Sequence, residues 1–78
     1  MKSLTLFLGD TDLDLLAKQV LDEWRARIPD IVIEYESVHN NPAAVVRLGI
    51  TDLPALVREE EIIAQGTPEK WVLPPLDR

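Results

Sequence analysis

Cysteine is absent from the 78 residues, and there is a single histidine, His39. Without cysteine there are no disulfide staples and no thiolate chemistry. Structural zinc, which takes four cysteine or histidine ligands, is excluded as well. Glycine is scarce at three residues, and the hydrophobic fraction is 46%. Both argue against a disordered chain, so apolar packing or a partner chain must hold the fold. Basic residues are few, eight against fourteen acidic ones, for a formal net charge of -6. That balance disfavours nucleic-acid backbones and anionic membrane surfaces as partners. Long apolar runs are missing too. Leu4 to Leu8 is too short for a signal-peptide core, and no stretch approaches the roughly 20 residues of a membrane helix. A soluble cytoplasmic protein of one domain, residues 1–78, is the expectation.

Within that frame the hydrophobic patterning is regular. Leu4, Leu6 and Leu8 share one face of Ser3 to Leu8, with Thr5 and Phe7 on the other, as in a central strand buried on both sides. Leu13, Leu16, Ala17, Val20, Leu21, Trp24 and Ile28 then recur at steps of three and four, the face of an amphipathic helix that Pro29-Asp30 ends. From Ile31 the period becomes two. Ile31, Ile33 and Tyr35 face one way and Val32, Glu34 and Glu36 the other, which reads as a strand near an edge, its glutamates discouraging unwanted pairing.

Asn41-Pro42 is an N-cap followed by proline at the first helical position, and Gly49 is the matching stop, so AAVVRL reads as a helix of about two turns. ITDLPALVREEEIIAQG then reads as strand, turn, strand, with arms Ala55-Leu56-Val57 and Ile62-Ile63-Ala64 and a solvated tip within Arg58 to Glu61. Thr67-Pro68-Glu69-Lys70 carries cap and proline signals for a last helix through Trp71, cut short by Pro74-Pro75, with a tail from about residue 73. Trp24 and Trp71 fall in apolar patterns and are expected in packing rather than in stacking on a ligand. The order is β-α-β-α-β-β with a stub of helix. A right-handed crossover makes the first two strands parallel and the hairpin adds two antiparallel ones, giving an α/β sandwich with a four-stranded mixed sheet and helices on both faces.

The segment from Asn40 to Gly66, NNPAAVVRLGITDLPALVREEEIIAQG, resembles the thioredoxin-fold superfamily, above all its short glutaredoxin-like members: a helix, a Gly-Ile pair, a loop ending in a characteristic proline, and a hairpin closed by glycine. The likeness spans nearly the whole chain. It implies a cis Leu53-Pro54 bond and, by alignment of Ala17 and Val20-Leu21, places the family's two catalytic cysteine positions at Thr11 and Asp14. Neither is a thiol, so dithiol and monothiol catalysis are excluded by composition. Two departures stand out: the hairpin tip lacks Asn-Gly or Asp-Gly, and the last helix is truncated by Pro74. The first strand-helix unit and the Asn-Pro helix also resemble the cysteine-free KaiB-like circadian clock proteins, which act by binding proteins.

The turn Gly9-Asp10-Thr11-Asp12-Leu13-Asp14 admits three readings. Asp10 and Asp12 form a D-x-D after a strand, similar to phosphotransferases of the haloacid dehalogenase type, but those need magnesium, further carboxylates and a lysine on a larger sheet. Asp10, Asp12 and Asp14 have the spacing of a calcium loop, yet its sixth and twelfth positions here hold Leu15 and Leu21 instead of glycine and glutamate. The third reading accounts for the residue types: Thr11-x-x-Asp14 is a capping box, or Asp12 is the cap with Asp14 in the first turn. His39, in a polar loop beside Asn40 and Asn41, reads as solvated.

The expected function follows from the resemblance. It implies a non-catalytic thioredoxin-like module that binds another protein or peptide, with no cofactor, no metal and no catalytic residue. In that family the residue before the proline pairs with an extended substrate, so the groove would be formed by Leu53, Pro54 and Asp52, with Asp12 and the Thr11 to Asp14 rim opposite. Two alternatives belong to other classes: a KaiB-like regulatory domain working by oligomerisation or change of fold, and a carboxylate enzyme with or without a metal.

Overall fold

The computed structural model describes residues 2–72. The chain forms β1 (Lys2–Leu8), α1 (Asp14–Arg27), β2 (Ile31–Ser37), α2 (Pro42–Leu48), β3 (Ala55–Arg58), β4 (Glu61–Gln65) and a single 3-10 turn at Pro68–Lys70. The strands make one mixed sheet in the order β2-β1-β3-β4, with β1 parallel to β2 and antiparallel to β3, and β3 antiparallel to β4. The architecture is mixed α/β, a four-stranded sheet with two helices.

Alternation along β1 divides the interior into two clusters. Leu4 and Leu6 point to one face, where Ala17, Leu21 and Trp24 of α1 meet them together with Ile31 and Leu56. Phe7 points to the other, against Ala44 of α2 and Ala55 and Val57 of β3. A strand whose two sides are both apolar can only lie in the middle of a sheet covered twice, and β1 is paired on both edges. The buried helix residues nearest the sheet include Ala17 and Ala44, whose small side chains leave room for Leu and Phe from the strands. Trp71 packs onto the α1 side, half-buried, as its apolar context implied.

Local signals explain most boundaries. Asn41 accepts the Ala44 amide on its side-chain oxygen at 3.3 Å, Pro42 opens α2, and Gly49 closes it at φ 77°. The Ile50 amide then bonds back to the Val45 carbonyl at 3.1 Å, the closure that a left-handed glycine permits. At the start of α1 the structure departs from the capping box. The helix begins at Asp14 with Leu13 in the cap position and no side-chain cap bond. A tight turn intervenes, in which the Asp14 amide bonds to the Thr11 carbonyl at 3.2 Å before the first helical bond, Ala17 to Leu13, at 2.9 Å. Thr11 therefore caps the entry turn and not the helix, and Asp12 caps nothing. The last helix is likewise reduced to the 3-10 turn, and Thr67 supplies no side-chain cap. Pro74 and Pro75, expected to end it, lie outside the described residues.

The hairpin contains two features that periodicity did not reveal. Arg58 pairs with Glu61 across a two-residue loop, so Glu59 and Glu60 are the turn, at φ 49° and 69°. Both residues are left-handed, as a turn compatible with strand twist demands, although neither is glycine or asparagine. Further along, Leu56 pairs with Ala64 while Val57 pairs with Ile62, so Ile63 is an extra residue. This bulge puts Ile63 and Ala64 together on the α1 side and leaves Ile62 on the α2 side. The Leu53-Pro54 bond, at the entry to β3, is cis.

Candidate functional site

The turn after β1 is built from its own side chains. Asp10 adopts φ 58°, which swings the chain off the strand. The Thr11 hydroxyl donates to Asp14 Oδ1 at 2.8 Å and accepts the Leu13 amide at 3.2 Å. A hydroxyl can do both at once, so one side chain ties the entry turn to the first carboxylate of α1. Asp10 Oδ2 lies 3.2 Å from His39 Nε2, with side chains 87% and 65% exposed. A contact so open to water contributes little to stability. Asp12 is exposed. The three aspartates are thus turned to different uses, and among the described residues no group of three or more His, Asp or Glu side chains could hold a metal ion.

The loop before β3 comes to the same end of the sheet, since β3 runs opposite to β1. Its contact with the turn is made by Leu53 on Gly9: a Cβ built on Gly9 would fall 2.3 Å from Leu53 Cδ1 and 3.5 Å from Val38 Cγ2. Glycine at position 9 is what lets the Leu53 side chain lie directly on the main chain there. Asp52 lies elsewhere, against Gly66, whose added Cβ would be 3.6 Å from Asp52 Cβ. Pro54 is fully buried, so any groove would meet it only through its backbone. Of the expected site residues, then, Leu53 adjoins the turn at Gly9, Asp12 and Asp52 are exposed, and the ring of Pro54 belongs to the interior.

Hydrogen bonding in this loop is selective. The Gln65 side-chain oxygen accepts the amides of Thr51 and Asp52 at 3.1 and 3.2 Å. The Gly66 amide donates to the Pro54 carbonyl at 2.9 Å. Between these anchors the main chain of Leu53 has no hydrogen-bond partner among the described residues. Gln65 and Gly9 were not singled out by sequence reasoning. Gln65 gives no signal for its role, because its partners are 13 and 14 residues away and meet it only through the hairpin. Gly9, ending an apolar strand, was legible as a turn residue but not as a seat for Leu53.

Charge reinforces the asymmetry of the molecule. From Gly9 to Ala17 and from Gly49 to Val57 there is no lysine or arginine, while Asp10, Asp12, Asp14 and Asp52 all fall in these segments. The far end of the sheet carries both signs, including the pairing of Arg47 on α2 with Glu60 in the hairpin turn. A cavity of about 250 Å³ lies there, lined by Thr5, Phe7, Arg47, Leu48, Glu59 and Glu60 among others. It takes in none of the expected site residues. In comparisons with known proteins, no family model matches the chain and no curated protein matches it.

Proposed function

We propose that the chain is a non-catalytic, thioredoxin-like module that binds an extended polypeptide segment along Leu53, beside the Gly9 to Asp14 turn. The observation that carries this reading is the main chain of Leu53, without a hydrogen-bond partner among the described residues and held between the Gln65 anchor on one side and the Gly66–Pro54 bond on the other. A backbone amide and carbonyl fixed in place but unbonded is what strand addition requires of a receiving edge. The strand order and the helices on opposite faces agree with a thioredoxin-like frame. The absence of any thiol removes exchange chemistry from that frame and leaves recognition. The aspartates nearby favour a segment with lysine or arginine over an acidic one.

The test is a selection of random peptides displayed on phage against the full chain, followed by amide shift mapping with the selected peptide. Saturable shifts centred on Gly9 to Asp14, Asp52, Leu53 and Gly66 support the reading. Shifts confined to other surfaces overturn it.

A further inference from the structure

We infer that the outer edge of β2 is a second docking strand, which takes an extended segment of another protein carrying alternate lysine or arginine residues. β2 stands at the end of the sheet, and all seven of its residues are in unbroken parallel register with β1, from Lys2 opposite Ile31 to Leu8 opposite Ser37. No strand covers its other side among the described residues. The opposite edge strand, β4, is five residues long and distorted by the Ile63 bulge, which spoils it as a template. β2 has no bulge, proline or glycine. Among the described residues its guard is charge, from Glu34 and Glu36.

The side chains define the kind of partner. Val32, Glu34 and Glu36 share the face away from α1, and none of them joins the apolar cluster beneath α2. Val32 is 39% exposed and Tyr35, on the other face, 43%. Pairing of two copies about a two-fold axis fits this strip poorly. Centred on Glu34 it sets Glu34 against Glu34, and centred on Tyr35 it sets Glu34 against Glu36, like charges directly opposed. Centred on Ile33 it avoids the clash but pairs only Ile31 to Tyr35, between molecules of net charge -6. A foreign antiparallel strand reading basic-x-basic-x-apolar meets Glu36, Glu34 and Val32 in turn, with apolar x residues over Tyr35 and Ile33. The two glutamates then select as well as repel: they reject neutral and acidic strands and favour a basic one.

The experiment titrates the isotopically labelled full chain with a blocked peptide of sequence Thr-Lys-Val-Lys-Val-Val-Thr and with its counterpart bearing glutamate for lysine. The lysine peptide should give saturable amide shifts in Ile31 to Ser37, weakened about fivefold between low and high salt. In the variant Glu34→Lys with Glu36→Lys the preference should invert toward the glutamate peptide, a gain that misfolding cannot mimic. Should that variant fail to fold, Glu34→Gln with Glu36→Gln should erase the difference between the peptides. The inference is overturned if β2 amides do not move at millimolar peptide, if both peptides bind equally, or if β2 becomes protected with rising protein concentration at dimer mass. A response confined to Leu53 and the Gly9 to Asp14 turn would refute this edge while leaving the proposed groove standing.

Discussion

Gly9 shows how one residue couples two distant stretches of chain. It ends a strand of apolar alternation, yet its importance lies in the Leu53 methyl resting where a Cβ would be. Adding that atom in Gly9→Ala forces Leu53 to rotate, and the loss should be about 1 kcal/mol in urea unfolding. Leu53→Ala removes the obstacle, so Gly9→Ala in that background should cost close to nothing. A double-mutant cycle reads this coupling directly. Costs that simply add would mean the two residues do not touch. Thr11 makes a related point. Its sequence position suggests a helix cap, and the hydroxyl does bond an amide two residues on and a carboxylate three residues on. The helix nevertheless starts two residues later, because the Asp14 amide is satisfied by the Thr11 carbonyl in a tighter turn first.

The hairpin is the element where local preference and observed geometry disagree most. Glu59 and Glu60 both sit in the left-handed region, which disfavours residues with a Cβ by about 1 kcal/mol or more each. Replacing them through Glu59→Asn with Glu60→Gly should raise the unfolding free energy by about 1 kcal/mol. The Arg47–Glu60 pairing lost in the exchange is more than half exposed and offsets little of that gain. Chemical denaturation measures it, and an unchanged or lowered midpoint would show that the turn relaxes differently in solution. β4 makes the same argument in its pairing. Alternation of Ile62, Ile63 and Ala64 predicts no bulge, because period-two patterning describes an isolated strand, whereas the shift arises from which partner each residue meets across the hairpin.

At the scale of the whole molecule, the cluster under α1 dominates. Leu21 is fully buried among Leu4, Leu6 and Leu56. Leu21→Ala should cost about 2 to 5 kcal/mol, a large part of what a domain this size has to lose. Thermal unfolding should show a transition lowered more than for any single substitution in the shorter cluster beneath α2, and a small effect would mean that α1 is not the main cover. Net charge acts on the molecule as one body. At -6 the chain repels itself, so adding salt should raise the unfolding midpoint modestly. A midpoint that falls with salt would imply that ion pairs such as Arg47–Glu60 matter more than the excess of carboxylates.

Much was determined by the amino-acid sequence alone. Composition removed thiol chemistry, because no tertiary contact can create a missing side chain. Periodicity located β1, α1 and β2, since their faces repeat at the pitch of their own backbones. The Asn41-Pro42 start and Gly49 stop of α2 act over three or four residues and are legible for the same reason. Other features only the tertiary structure decided. Leu53 reaches Gly9, Gln65 reaches Thr51 and Asp52, and Pro54 turns inward because strands distant in sequence run antiparallel in one sheet. The GDTDLD turn could be read alone as cap, metal loop or catalytic motif. Its surroundings decide that Thr11 closes the entry turn, that Asp10 faces His39, and that the Leu53 main chain has no hydrogen-bond partner among the described residues. Contacts of this kind depend on where chain segments meet, which a linear pattern of residue types does not encode.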